Sequence, residues 1–322
     1  MELYPFVFEP IFKDRIWGGR KLASYLSKTI PTGTTGESWE LSTVAGSVSV
    51  VRDGSFSGIA LTEIVQQFPQ ELLGGSVYRR FGATLPLLFK FIDARDDLSI
   101  QVHPDDTLAR QRHDSFGKTE MWYVMQADPG ARLIVGFRQT SSPGEYQRHL
   151  ATGGLVDLLQ QVEVQVGDTF FLAPGTIHAI GAGILLAEIQ QTSDITYRVY
   201  DWGRVDAEGN SRELHVEQAL EAMNYEMVEA RCQYMHVPNT GNEMVSCQHF
   251  TTRFFPLNGC VTVVHDGTSF RVYVCTEGEY SLITAAGVYQ FKQGDTVLVP
   301  ASINRFVLSG WAVLLEVYLP IS

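Results

Sequence analysis

The sequence predicts an all-β protein made of two jelly-roll barrels, each of two packed sheets, with a few short helical decorations. Short β-branched and aromatic runs closed by Gly, Pro, Asp or Asn follow one another closely, the punctuation of an all-β fold. Helical periodicity is confined to three stretches. One pattern also occurs twice: "GDTFFLAPGTIHAI" at 167–180 and "GDTVLVPASINRFVL" at 294–308 share a Gly-Asp-Thr start, a strand and a Pro-turned corner. A duplicated frame in 322 residues fits two modules of ordinary size.

The expected strands of the first module are 46–54, 86–94, 98–104, 120–127, 131–137, 168–174 and 183–190. They stand too close together for alternating βαβ units, so a sandwich or barrel is preferred. Helices are expected at 61–74, 143–161 and 215–224, the last with apolar residues at Val216, Ala219, Leu220 and Met223. After residue 235 strands resume, and "VPNTGNE" marks a boundary near 230–240. The chain is therefore expected to divide into a first unit at 1–235, with N-terminal strands and small helical insertions, and a second at 236–322; the candidate metal-ligating residues make the first the expected metal-binding, catalytic unit and the second a degenerate, metal-free copy.

Composition narrows the function. With 24 Lys+Arg against 36 Asp+Glu the formal net charge is −12, which repels nucleic acid and acidic lipid. A small anionic substrate is still admitted, because a few buried cations govern a pocket whatever the total. The N-terminus "MELYPFVFEPIFKDRIWGG" lacks the pattern of a signal peptide, and no apolar run reaches the roughly 20 residues that span a bilayer. A cytoplasmic protein is expected. Cys232, Cys247, Cys260 and Cys275 form no C-x-x-C pair and read as buried, reduced thiols.

A Gly-Asp-x turn, a strand, a Pro corner and an inward residue form the second half of a cupin jelly roll, where the inward residue is commonly a metal-ligating histidine. His178 holds that place in the first copy, whereas Asn304 holds it in the second. If His178 is a ligand, its partners belong on inward positions of the same barrel. In "SIQVHPDD" strand alternation puts Gln101 and His103 on one face and Val102 on the other, and "GKTEMWYV" opens an apolar strand with Glu120. Two imidazoles, a carboxylate and an amide oxygen suit Zn²⁺, and also Fe²⁺, Mn²⁺ or Co²⁺. Blander readings stand beside this one: His103 before Pro-Asp-Asp could cap a turn, and Gln101 could bond a neighbour. The other six histidines sit in polar or turn-like contexts and read as surface or structural.

The segments "IFKDRIWGGRKL", "TGESWELS", "LPLLFKFIDA", "LSIQVHPDD", "GKTEMWYV", "GDTFFLAPGTIHAI", "EIQQTSDITYRVYDWGR" and "RELHVEQAL", in order from about residue 5 to 220, resemble the short bacterial form of the type I phosphomannose isomerases. The resemblance implies that mannose 6-phosphate and fructose 6-phosphate are interconverted through an enediol beside one divalent ion, zinc in the family. It implies metal ligands Gln101, His103, Glu120 and His178, and an active-site arginine in Arg198. Around the pocket it places Lys118, Glu188 and Asp194 as further catalytic candidates, with Ser99, Lys90 and Lys118 as substrate contacts. The expected partner is a small sugar phosphate, with no nucleic acid or membrane, for a monomer or homodimer. Two rivals remain at this point. The two-His, one-carboxylate set also fits a non-haem metal oxygenase, and a cupin can bind a sugar phosphate without turning it over.

Overall fold

A computed structural model describes residues 2–205 and 209–320 of the protein. Its first barrel pairs two antiparallel sheets. One has seven strands in the order Ile11–Gly19, Thr35–Leu41, Leu87–Ala94, Ile184–Gln191, Glu120–Ala127, Thr169–Leu172 and Arg231–Cys232. The other has five, in the order Tyr197–Tyr200, Ile100–Val102, His178–Ile180, Arg132–Phe137 and Leu159–Glu163.

Side-chain alternation then decides what each face meets. On the seven-stranded sheet Phe89, Phe91, Met121, Tyr123, Leu185, Ala187 and Ile189 point out of the barrel. They bury themselves against the helices at 61–81 and the second barrel, whose Phe254, Val272, Val274 and Leu315 join the same cluster. Ile92, Trp122, Val124 and Leu186 point inward, towards Leu133, Val135 and Ile180 of the five-stranded sheet. Strands buried on both faces read as continuous apolar runs, as "PLLFKFIDA" does, and a Lys or Asp inside one stands out. The outer face of the five-stranded sheet, with Ile100, Val102, Ile134 and Ala179, is covered by Tyr146, Leu155 and Ala219 of three helices.

The second barrel is built from three 14-residue strands, Thr251–Val264, Arg271–Thr284 and Arg305–Tyr318, with shorter strands at their edges. A register shift between Cys275 and Glu277 bends the middle strand. Phe255, Leu257, Tyr273, Tyr280, Leu282, Phe306 and Leu308 fill the interior. The N-terminal segment also reaches this barrel: Phe6 pairs with Leu298, and Val7 lies in its core.

Several expected elements differ. The stretch 46–54 holds the two-residue strand Ser47–Val48, hairpinned to Thr43–Val44 through the turn at Ala45-Gly46, and beyond it only single bridges from Val50 to Ala60 and from Val51 to Phe8. The helix expected over 143–161 breaks into Pro143–Ala151 and Leu155–Leu158 at Gly153-Gly154, and its last residues become the strand Leu159–Glu163. The helix expected over 61–74 breaks before Pro69, which starts a new helix at Pro69–Leu73. The helix Asp106–His113 was not anticipated; Asp105 caps it by accepting from the Leu108 N–H at 2.8 Å. Cys260 is exposed and Cys232 and Cys247 are half-buried, so only Cys275 is the buried thiol expected of all four. No helix among the described residues is long and apolar enough to cross a membrane.

Candidate active site

Strand pairing assembles the site. Across the five-stranded sheet Arg198, Gln101 and His178 stand opposite one another in a single row. Across the seven-stranded sheet a second row runs Trp39, Lys90, Glu188, Trp122. Directly opposed residues have Cβ atoms about 5 Å apart, so residues remote in sequence become neighbours. His103 lies two residues beyond Gln101, Glu120 two before Trp122, and Gln190 stands opposite Glu120. The inner faces of the two sheets therefore hold the chemistry between them.

Where the rows meet, His103 Nε2 lies 3.6 Å from Glu120 Oε2, and His178 Nε2 lies 3.3 Å from Glu120 Oε1. All three side chains are buried. His103 Nδ1 bonds the Ile195 carbonyl at 2.9 Å, and His178 Nδ1 bonds the Thr176 carbonyl at 2.8 Å. A carbonyl only accepts, so both Nδ1 atoms carry the hydrogen and both Nε2 lone pairs face the carboxylate. His103 Nε2, Glu120 Oε1 and Glu120 Oε2 are buried without a hydrogen-bond partner. Lys118 Nζ stands 3.3 Å from one of the Glu120 oxygens, but three converging lone-pair donors in a buried site remain costly with a single ammonium beside them unless a further cation takes them up. Backbone acceptors that fix the two tautomers are the usual outer support of metal-ligating histidines. The trio is the one such group among the described residues. Gln101 Nε2 stands 3.3 Å from His178 Nε2; turning the amide over would put Oε1 there instead.

Burial sets the ionisation. It holds His178 down at about 4 and His103 well below the usual histidine range, so both rings are neutral ligands near pH 7. Burial pushes Glu120 up to about 7 against the pull of Lys118, whose Nζ is 3.3 Å away. Glu188 goes the other way. Burial would raise it, but Lys90 and Lys118 outweigh that and hold it at about 2. Lys90 donates to Glu188 at 2.9 Å and Gln190 at 2.7 Å, and Trp122 Nε1 donates to Glu188 at 2.9 Å. Lys118 is raised, since Glu120, Glu188 and Glu37 outweigh its burial.

Above this floor opens a cleft of about 620 Å³, lined by Gln101, Lys118, Glu188, Lys90, Ser99, Asp194 and Arg198 among others. The cleft brings together every expected catalytic and substrate-contacting residue above the His103, Glu120 and His178 cluster. Arg198 Nε donates to Ser99 Oγ at 3.3 Å, and Nη1 to the Glu213 carbonyl at 3.0 Å. Asp194 is exposed at the mouth and has no hydrogen bond or ion pair among the described residues. A neighbouring cavity of about 670 Å³ shares Asp194 but none of the ligands. Sequence reasoning missed Lys13, Arg15, Glu37, Trp39 and Arg212, which also line the cleft. The first four stand within "IFKDRIWGG" and "TGESWEL", but glycines obscure the strand alternation there. Gly36 is required: a Cβ would lie 2.5 Å from Trp17 Cζ3.

Residues 6–126 match the family described as phosphomannose isomerase type I, catalytic domain, and residues 240–319 match mannose-6-phosphate isomerase, cupin domain. The mannose-6-phosphate isomerase ManA of Bacillus subtilis (strain 168) is 37% identical over 316 residues, covering 97% of this chain and 98% of that protein. The chain belongs to the type I phosphomannose isomerases. A mannose-6-phosphate isomerase of Streptococcus mutans is 35% identical, covering 94% of this chain and 96% of its own. The crystal structure of mannose 6-phosphate isomerase from Bacillus subtilis superposes with a TM-score of 0.90 at 31% identity, over 98% of this chain and 99% of that one. As a type I phosphomannose isomerase, this chain is a metal-dependent cupin enzyme that interconverts mannose 6-phosphate and fructose 6-phosphate. The oxygenase and the non-catalytic binder are thereby set aside.

Proposed function

We propose that the isomerisation takes place at the floor of the cleft in the first barrel, residues 1–235, with His103, Glu120, His178 and the Gln101 amide oxygen holding one zinc ion. The observation that carries this is the convergence of buried lone-pair donors of His103, Glu120 and His178, met by a single cation, the Lys118 ammonium, among the described residues, beneath a cation-lined cleft. A nitrogen and oxygen donor set with two neutral imidazoles and one carboxylate suits zinc. When bound, the ion polarises the C1 and C2 oxygens of the open-chain sugar as a Lewis acid.

The protein's own groups do the rest. Lys118 keeps its proton and donates to a sugar oxygen beside Glu120. Arg198, fixed by Ser99 and the Glu213 carbonyl, lies across the strand pair from Gln101 and stabilises the negative charge that develops as the C2 proton leaves. Ser99 and Lys90 contact the sugar from the cleft wall. Two non-ligating carboxylates compete for the proton between C2 and C1. Glu188 is held as a carboxylate by Lys90 and Trp122, so its role is to orient them. Asp194 is unpaired and faces the same cleft, and it carries the proton. Residues 236–322 support the site structurally without a metal of their own. A sugar-phosphate substrate and unpaired cysteines fit the cytoplasm.

The test is a coupled assay of fructose 6-phosphate formation from mannose 6-phosphate, on chelator-stripped protein with and without Zn²⁺, beside His178→Ala. Zinc restores the wild type and leaves the variant inactive. Turnover by the zinc-supplied variant would place the chemistry elsewhere.

A further inference from the structure

Six cations line the cleft: Lys13, Arg15, Lys90, Lys118, Arg198 and Arg212. Four are committed to carboxylates, Arg15 to Glu37 at 2.7 Å, Lys90 to Glu188 at 2.9 Å, Lys118 to Glu120 at 3.3 Å and Arg212 to Asp201 at 2.7 Å. Arg198 is held by Ser99 and a carbonyl. Lys13 differs from all of them. Among the described residues its Nζ meets only the Ser47 hydroxyl, at 2.7 Å, and the face of Trp39, 4.8 Å from the ring centroid. Glu37 stands opposite Lys13 across the strands, but its two oxygens are taken by Arg15 and by Trp39 Nε1 at 2.6 Å.

We propose that Lys13, with the Ser47 hydroxyl, is the anchor for the phosphate of the sugar substrate. This rests on the isomerase reading of the cleft and deepens it. The substrate has a reacting end at C1 and C2 and a dianionic end at C6. The ligand set takes the first; the second needs a donor that is not already neutralised and stands away from the floor. Lys13 lies on the Ile11–Gly19 strand, next to the strand that carries Trp39, and Lys90 Nζ lies 5.0 Å from the same ring. Bonded to each other as they are, Lys13 and Ser47 present an ammonium and a hydroxyl side by side. The hydroxyl now accepts from Lys13, and on arrival of phosphate it rotates to donate, so that both groups serve one anion. In a chain of net charge −12, an unpaired cation at this mouth also draws the substrate in.

Steady-state kinetics of the zinc-loaded enzyme test the assignment with Lys13→Met, Lys13→Arg and Ser47→Ala, with inorganic phosphate as a competitor. Lys13→Met raises KM for mannose 6-phosphate by about tenfold to a hundredfold, the worth of one charged hydrogen bond, while kcat falls no more than about twofold. It also abolishes competition by inorganic phosphate. Lys13→Arg restores most of the affinity, and Ser47→Ala raises KM about two- to fivefold. If Lys13→Met lowers the melting temperature, Lys13→Gln beside Lys13→Arg separates loss of charge from loss of fold. A KM within twofold of wild type in the folded, uncharged variants overturns the assignment. Unaltered inhibition by free phosphate does so as well. A wild-type enzyme that fails to turn over mannose 6-phosphate defeats the isomerase reading itself, a different outcome.

Discussion

The two barrels share a turn and differ in what it frames. Gly167 and Gly294 both adopt φ of +90°, open to glycine at little cost. Asp168 accepts from the Gln165 N–H and Asp295 from the Lys292 N–H, each at 2.9 Å. After the corner, His178 and Ile180 face the interior of the first barrel, while in the second Phe306, two residues past Asn304, faces inward and Asn304 is exposed. The first interior keeps a polar floor of His103, Glu120, Lys118, Lys90 and Glu188. The second is packed with Tyr273, Tyr280, Phe291 and Phe306. Backbone geometry thus fixes the Gly-Asp-Thr frame in both copies, whereas the inward positions are free to serve either a metal or a core.

The comparison can be broken in order of expected effect. His178→Ala removes a proposed ligand whose tautomer is already fixed, and kcat falls by at least about a thousandfold with loss of bound metal, read by assay and elemental analysis. Phe306→Ala in the other barrel costs about 3–5 kcal/mol in denaturant unfolding, yet leaves kcat of the folded fraction unchanged. The proton assignment is sharper still: Asp194→Asn lowers kcat and solvent-proton exchange at C2 together, whereas Glu188→Gln acts mainly by loosening Lys90 and Trp122. Metal affinity depends on pH through Glu120. Binding requires the carboxylate, which is protonated below about 7 in the metal-free protein. Affinity therefore falls about tenfold per pH unit as pH drops from 7 towards 5.5, while His178, held at about 4, stays neutral. Competition with a fluorescent chelator measures this. The smallest effect is shared: Gly167→Ala and Gly294→Ala each cost about 1–3 kcal/mol, because both strain the same turn.

The proposed ligand set was legible because it depends on local rules. Alternation put Gln101 and His103 on one face, Pro and Gly framed His178, and an acid opening "MWYV" drew attention to Glu120. Trp39, Lys13 and Glu37 were not legible, because their place is set by pairing across strands far apart in sequence and their own strands are interrupted by Gly18, Gly19 and Gly36. The fate of Lys118 was hidden for the same reason. Its proton is held by Glu120, Glu188 and Glu37, which come from three different strands. The helix Asp106–His113 escaped notice because "DTLARQRH" has only Leu108 and Ala109 as apolar residues, too few to show a helical period.

The central claim is that one metal, held in the first barrel alone, supports turnover. Adding zinc stepwise to chelator-stripped protein while recording the initial rate tests it most directly. The account predicts that activity rises linearly and saturates at one equivalent per chain, and that His178→Ala shows no rise at all. Saturation at two equivalents, or full activity before any metal is added, would contradict it.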